Sequence, residues 1–269
     1  MIFHVPHSST AIPVEVRGFI VLGDAELDAE ILAMTDHFTD ELFGTFAGER
    51  DFVVQFGVSR LVVDVERFPD DSQERMAQRG MGVVYTRTSK LEILRNPISS
   101  AEREALLNKY YWPHHQNLED CVKSALKTEG YAFVLDCHSF PSRALPYEDA
   151  QHEPRPDFCL GTDEYHTPAG LVELVKRYFD DKGYRVAINT PFSGALVPSG
   201  YFRTHESVSA LMIEVNRKLY MDEVTGRKDL VEFKRTKEAI ENAIELMQAY
   251  FDSELINNDI IGEIKIYAK

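Results

Sequence analysis

Short apolar runs alternate with longer amphipathic stretches along this chain, the pattern of an α/β domain in which strands and covering helices follow one another. Residues 2–5, 52–56, 61–65, 132–135, 185–188 and 210–215 read as strands. They are rich in Val, Ile and Phe, and several are apolar at consecutive positions, as strands covered on both faces must be. Leu27, Ile31, Met34, Phe38 and Leu42 recur at three- and four-residue spacing behind Asp24 and predict one helix. Ser99 with Glu102 forms a capping-box pattern that opens a second helix through Leu106, Leu107 and Tyr110. Pro113 should kink it before Leu118, Val122 and Leu126 resume the stripe, and Gly130 should end it. Thr167-Pro168 opens a third helix carrying Leu171, Leu174, Val175 and Tyr178, with Gly183 near its end. Ile240, Ile244, Met247 and Phe251 lie on a fourth. No repeat or Gly/Ser linker divides the chain, so a single three-layer α/β/α domain over residues 1–269 is expected.

Composition narrows the class. Hydrophobic residues make up 44% of the 269, ample for a core that needs no disulfides. Cys121, Cys137 and Cys159 are odd in number and lack C-x-x-C spacing, which predicts a reduced, cytoplasmic protein. Met1-Ile2-Phe3-His4 does not open a signal peptide, and no apolar run approaches the roughly 18 residues of a membrane span. The 29 Lys+Arg against 44 Asp+Glu give a net charge of -15, which repels phosphate backbones and anionic membranes. Neither nucleic acid nor membrane is an expected partner. A small anionic substrate would require arginines concentrated locally.

The polar residues that directly follow the strands carry the candidate chemistry, because ligands of open α/β sheets gather at strand carboxyl ends. Residues 2–5 run into Pro6-His7-Ser8-Ser9, and 132–135 into Asp136-Cys137-His138-Ser139. The apolar run at 210–213 meets Glu214, then Asn216-Arg217; residues 61–65 are followed by Glu66-Arg67, with Arg60 just ahead. Two histidines, a glutamate and several arginines at converging strand ends point to a hydrolytic metal site for an anionic substrate. Each has a plainer reading: a turn histidine for His7, a core histidine for His138, surface pairs for the arginines. Glu214 is the most informative, since a buried carboxylate in an apolar run must be paired, liganded or protonated. Cys137 and His138 point to opposite faces of a strand and cannot form a dyad. G-x-S-x-G, G-x-G-x-x-G and P-loop patterns are absent.

Four separated pieces of the chain together resemble one family. His4-Val5-Pro6-His7-Ser8, Ser59-Arg60-Leu61-Val62-Val63-Asp64 with Arg67, Asp136-Cys137-His138-Ser139, and Glu214 with Tyr220-Met221 are similar to the N-formylglutamate amidohydrolases. Thr35-Asp36, Pro113 with His115, and Asn189 with Phe192 and Gly194 agree as well, so the resemblance runs in order from about residue 3 to residue 221. It implies a phosphorylase/hydrolase-like fold with a mixed, mostly parallel sheet, related to the zinc carboxypeptidases. It further implies a zinc ion held by His7, Asp36 and His138, with Glu214 as general base. Asp136, two residues from His138, and Ser139 beside it would support the ligands, and Arg60, Arg67 and Arg203 would bind substrate.

The implied reaction releases formate from N-formyl-L-glutamate. Two other readings stay open: hydrolysis of another N-acyl amino acid or peptide, and a metal- or ligand-binding protein without turnover. The chain also departs from the family pattern. Glu66 stands where Asn is common, Asn189-Thr190-Pro191-Phe192 replaces an Asn-Gly-Arg-Phe run, and Arg217 stands where Gln is usual. On one unbroken helix from Asp24, Asp36 would face away from the apolar stripe. A ligand role for it requires the helix to break near Met34-Thr35.

Overall fold

The computed structural model describes residues 1–151 and 153–267, with side chains described up to residue 253. In chain order the main elements are β1 (Ile2–Val5), α1 (Val14–Arg17), α2 (Asp24–Met34), α3 (Thr39–Leu42), β2 (Phe52–Gln55), α4 (Ser100–Leu106), α5 (Trp112–Glu129), β3 (Ala132–Phe140), β4 (Phe158–Gly161), α6 (Ala169–Asp181), β5 (Val186–Ile188), β6 (Val208–Asn216) and α7 (Leu230–Tyr267). Six strands form one sheet in the order β2-β1-β3-β6-β4-β5. The pairs from β2 to β6 are parallel; β4 runs antiparallel to β6 and parallel to β5. The fold is therefore α/β with a mixed, mostly parallel sheet.

Side-chain alternation along the central strands decides where everything else sits. Phe133, Leu135 and Cys137 of β3, with Leu211, Ile213 and Val215 of β6, pack on one face against α6 and α7. Ala132, Val134, Val208 and Ala210 face the other way, against Leu118, Val122 and Ala125 of α5. The even-numbered residues further along, Asp136 and His138 of β3 and Glu214 of β6, continue on that second face. His4 of β1 joins them, since it stands in register with Asp136, and His138 in register with Glu214.

Several predicted elements differ in detail. Residues 61–65 are buried but form turns, not a strand. Val62, Val63 and Val65 pack with Val83, Val84 and Tyr111, so the apolar run reflects burial in a satellite cluster without a strand partner. The helix predicted through Leu42 stops at Met34. Thr35 takes extended backbone angles, Asp36 N donates to His7 O at 3.0 Å, and Phe38 has φ 66° before α3 begins. Ahead of Pro113 the backbone forms a single π-type turn over residues 107–111, so proline sits in the first turn of α5, where its missing N–H costs nothing. Gly130 ends α5 at φ 76°, as predicted. Pro168 caps α6 from one position before the helix. The 158–161 strand was not apparent in the pattern.

Gly161 is required by packing: a Cβ there would lie 2.1 Å from Gly194 O. This close approach lets the 189–196 loop lie against the end of β4, beside Met212 of β6. Among the described residues, no helix is long and apolar enough to cross a membrane.

Because Leu135 is fully buried in the central strand, Leu135→Ala should lower stability by about 2–5 kcal/mol. Chemical denaturation of the two proteins measures this, and a loss below about 1 kcal/mol would contradict the placement of β3 at the centre of the core.

Candidate active site

The carboxyl ends of β1, β3 and β6 open into a cavity of about 270 Å³ on the α5 face, where the helix no longer covers the sheet. His7, Asp36, Arg60, Glu66, Arg67, His138, Ser139, Glu214 and Arg217 reach it. His7 follows β1, and the break after α2 turns Asp36 inward from the position a continuous helix would have given it. The buried ligand atoms of His7, Asp36 and His138 lie within 4.8 Å of one another. His138 Nδ1 is 3.1 Å and His7 Nδ1 3.7 Å from Asp36 Oδ2.

The outer nitrogen of each of these two histidines is held by an aspartate. His7 Nε2 donates to Asp64 Oδ1 at 2.8 Å, and His138 Nε2 donates to Asp136 Oδ1 at 3.0 Å. With Nε2 protonated on both rings, Nδ1 is the nitrogen turned toward Asp36, the tautomer that a metal-ligating imidazole needs. His7 Nδ1 is buried and has no hydrogen-bond partner. An orphaned ring nitrogen beside a second imidazole and a carboxylate fits the donor set of a divalent metal ion.

The two supporting aspartates are themselves heavily bonded. Asp64 also accepts from Arg60 Nη2 at 2.8 Å, from Glu66 N at 3.0 Å and from the Tyr85 hydroxyl. Burial alone would raise its pKa, but Arg60 and His7 hold it well below the usual range. Asp136 also accepts from His4 Nδ1 at 2.8 Å and from Leu196 N at 3.1 Å. It too is held below the normal carboxylate range, because His138 and His4 outweigh burial. His4 Nε2 in turn accepts from His114 Nε2 at 2.9 Å. Burial keeps His4 neutral and pushes His114 down to about 2.

Asp36 is fixed by a different set. Arg217 Nη2 donates to its Oδ1 at 3.1 Å, and Ser139 N donates to its Oδ2 at 3.2 Å. Burial opposes ionisation here as well, but His138 and His7 hold its pKa well below normal. Burial would lower the pKa of His138, yet Asp136 and Asp36 raise it well above the usual value. Both its nitrogens donate in the metal-free state, so the ring is an imidazolium that must release a proton when it ligates a metal.

A second group, His4, Glu66 and Asp136, also brings ligand atoms within 4.8 Å. There both ring nitrogens of His4 are engaged, Nδ1 by Asp136 at 2.8 Å and Nε2 by His114 at 2.9 Å, whereas His7 Nδ1 in the first group has no partner, which makes the first group the better cation site.

Glu214 stands across the register from His138, nearly buried, with Oε2 unpartnered. Burial, with Asp36 adding to it, pushes its pKa up to about 8. Glu66 rises to about 8 by burial and the nearby Asp136 charge.

One expectation is corrected. Arg203 does not reach the cavity: its exposed guanidinium pairs with Asp163 at 3.4 Å, and its backbone N donates to His166. Arg217 is the arginine that does, because β6 delivers residues 214–217 directly to the site. Asp64, Tyr85 and Arg217 received no role from the sequence. Asp64 and Arg217 were in view as motif neighbours, whereas nothing in the local pattern marks Tyr85.

Comparison with known proteins adds the lineage. A family model described as N-formylglutamate amidohydrolase matches residues 1–221. Among solved structures, the N-formylglutamate amidohydrolase from Ralstonia eutropha JMP134 is 24% identical, with 92% of each chain covered and a TM-score of 0.77. A gene product from Agrobacterium tumefaciens is 18% identical, covering 94% of this chain and 90% of that one, with a TM-score of 0.65. At these identities the likeness is one of fold. The curated proteins contain no match.

Glu66 and Glu214 bind their protons more tightly in the folded state than in the unfolded one. The stability this contributes is complete below about pH 4.5 and is lost as pH rises through about 8. His138, also raised, acts in the same direction. Metal-free protein should therefore melt at a lower temperature at pH 9 than at pH 7, and bound zinc should flatten the difference. Thermal unfolding with and without chelator measures both; a Tm that rises with pH in chelator would contradict these assignments.

Proposed function

Because the chain belongs to the N-formylglutamate amidohydrolase family and is accordingly a hydrolase of amides, we propose that it is a zinc-dependent enzyme releasing formate from N-formyl amino acids, of which N-formyl-L-glutamate is the family's namesake. His7, Asp36 and His138 hold the metal. When bound, zinc would act as a Lewis acid on the amide carbonyl and lower the pKa of water toward about 7.

The chain's own groups do the rest. Glu214 takes a proton from the attacking water and passes it to the departing amide nitrogen. Its unpartnered Oε2 beside the His7–Asp36–His138 group is the observation that carries this reading. A protein that merely binds a ligand has no use for a buried carboxylate left free at that point. Asp64 and Asp136 keep the ligand imidazoles in one tautomer and one orientation. Arg217 Nη2 and the Ser139 backbone N–H hold the Asp36 carboxylate in its orientation. Arg67, with the remaining nitrogen of Arg60, binds the substrate's carboxylate, for which a planar guanidinium is well shaped.

The surface of the chain is acidic, yet this cavity attracts an anion. Arg60, Arg67 and Arg217 line it, and the zinc adds to their charge.

Glu214→Gln keeps the size and hydrogen-bonding shape of the side chain but removes the base. It should lower kcat for formate release from a zinc-loaded preparation by about 10²–10⁴-fold while leaving zinc content unchanged. Activity within a few-fold of the parent would overturn the general-base assignment.

A further inference from the structure

The arginines around the cavity differ in how much of their hydrogen-bonding capacity the protein itself uses. Arg217 is spent: Nη1 donates to Ala33 O at 2.6 Å, Nη2 to Asp36 Oδ1 at 3.1 Å and Ser139 O at 3.3 Å, and Nε to Ser139 Oγ at 3.3 Å. Arg60 gives Nη2 to Asp64 and Nε to the Tyr85 hydroxyl, leaving Nη1, 3.8 Å from Asp36 Oδ1. Arg155 lies over the Phe140 and Phe192 rings and is closed by Glu148 and Pro141 O. Arg67 differs from all of these. Its Nε is buried without a hydrogen-bond partner, and the acid beside it, Asp64 Oδ2, is 3.7 Å away. Arg60 and Arg67 lean on the same Asp64, so together they offer one docking place for one carboxylate.

The remaining wall offers nothing comparable to a second carboxylate. Met34, Met76 and Leu145 line one part of it, and Phe140, Phe192 and Met212 another. The acids set among them, Glu148 and Asp149, are already paired with Arg155 and with Arg75 and Arg79. A second carboxylate on the substrate would meet apolar side chains and like charges, with only the neutral hydroxyls of Tyr147 and Ser193 and no free cation among the described residues lining the cavity, too little to offset the desolvation of a second charge.

We propose that this site selects N-acyl amino acids bearing a single carboxylate and an apolar side chain over dicarboxylic ones. The proposal rests on the amide-hydrolase reading above and specifies its substrate. The reaction is the same: water adds across the C–N bond, the acyl carbon keeps the hydroxyl, and the amine nitrogen takes the proton. The α-carboxylate sits on Arg60 and Arg67, and the side chain lies against the Met76–Leu145 part of the wall.

Zinc-reconstituted full-length protein should be assayed for formate release from N-formyl-L-leucine and N-formyl-L-glutamate. The expected result is a kcat/KM at least about tenfold higher for the leucine compound. Equal or higher kcat/KM for N-formyl-L-glutamate would overturn the proposal while leaving the hydrolase reading intact. No formate from either, at full zinc content, would overturn the hydrolase reading and the proposal together. Leu145→Arg adds a cation to the apolar wall and should move the ratio toward N-formyl-L-glutamate. A ratio unmoved by that substitution would contradict the placement of the side chain.

Discussion

Two hydrogen bonds, from His7 Nε2 to Asp64 and from His138 Nε2 to Asp136, are the constraint on which the site depends. Each fixes which ring nitrogen carries the proton and therefore which one faces the other ligands. The sheet supplies the geometry for one of them. Asp136 and His138 are two residues apart on β3 and so share a face, and parallel register places Glu214 of β6 beside His138. Asp64 comes from a buried turn instead. Its position depends on the packing of residues 61–65 against the 83–85 segment, where Asp64 N donates to Val83 O.

Charge balance explains why so many acids are tolerated in one place. Asp36, Asp64, Glu66, Asp136 and Glu214 crowd the site, while Arg60, Arg67 and Arg217 are the arginines set among them. With every carboxylate ionised, negative groups outnumber guanidiniums by two, the charge of one divalent cation. Without the cation, the His138 imidazolium offsets part of the imbalance, and Glu66 and Glu214 add to that offset by holding protons up to about pH 8. A second metal in the His4, Glu66 and Asp136 group is disfavoured because both ring nitrogens of His4 are already engaged, by Asp136 and by His114. The net charge of -15 is thus mostly a property of the surface.

What could be read from residues alone followed local rules. The even-numbered polar residues ending β3 and β6 were legible because strand alternation is strict, and Glu214 stood out as a carboxylate in an apolar run. Asp36 was legible only conditionally, since its use required a helix break that the apolar stripe through Leu42 argued against. That stripe persists because Phe38 and Leu42 are still buried or partly buried after the chain turns, in α3 and its cap. The 61–65 run looked like a strand because burial alone selects Val and Leu. Tyr85 and the inward commitment of Arg217 are tertiary facts with no local signal. The exchange of Arg203 for Arg217 has the same origin: which arginine reaches the cavity depends on the path of the loop ahead of β6.

Everything proposed for this cavity requires that His7, Asp36 and His138 hold one metal ion. The most direct measurement is the zinc content of the protein after metal repletion and removal of excess ion, compared with that of Asp36→Asn. One equivalent per chain is expected, reduced severalfold in the variant. Two equivalents, or one that survives the loss of the Asp36 carboxylate unchanged, would contradict it.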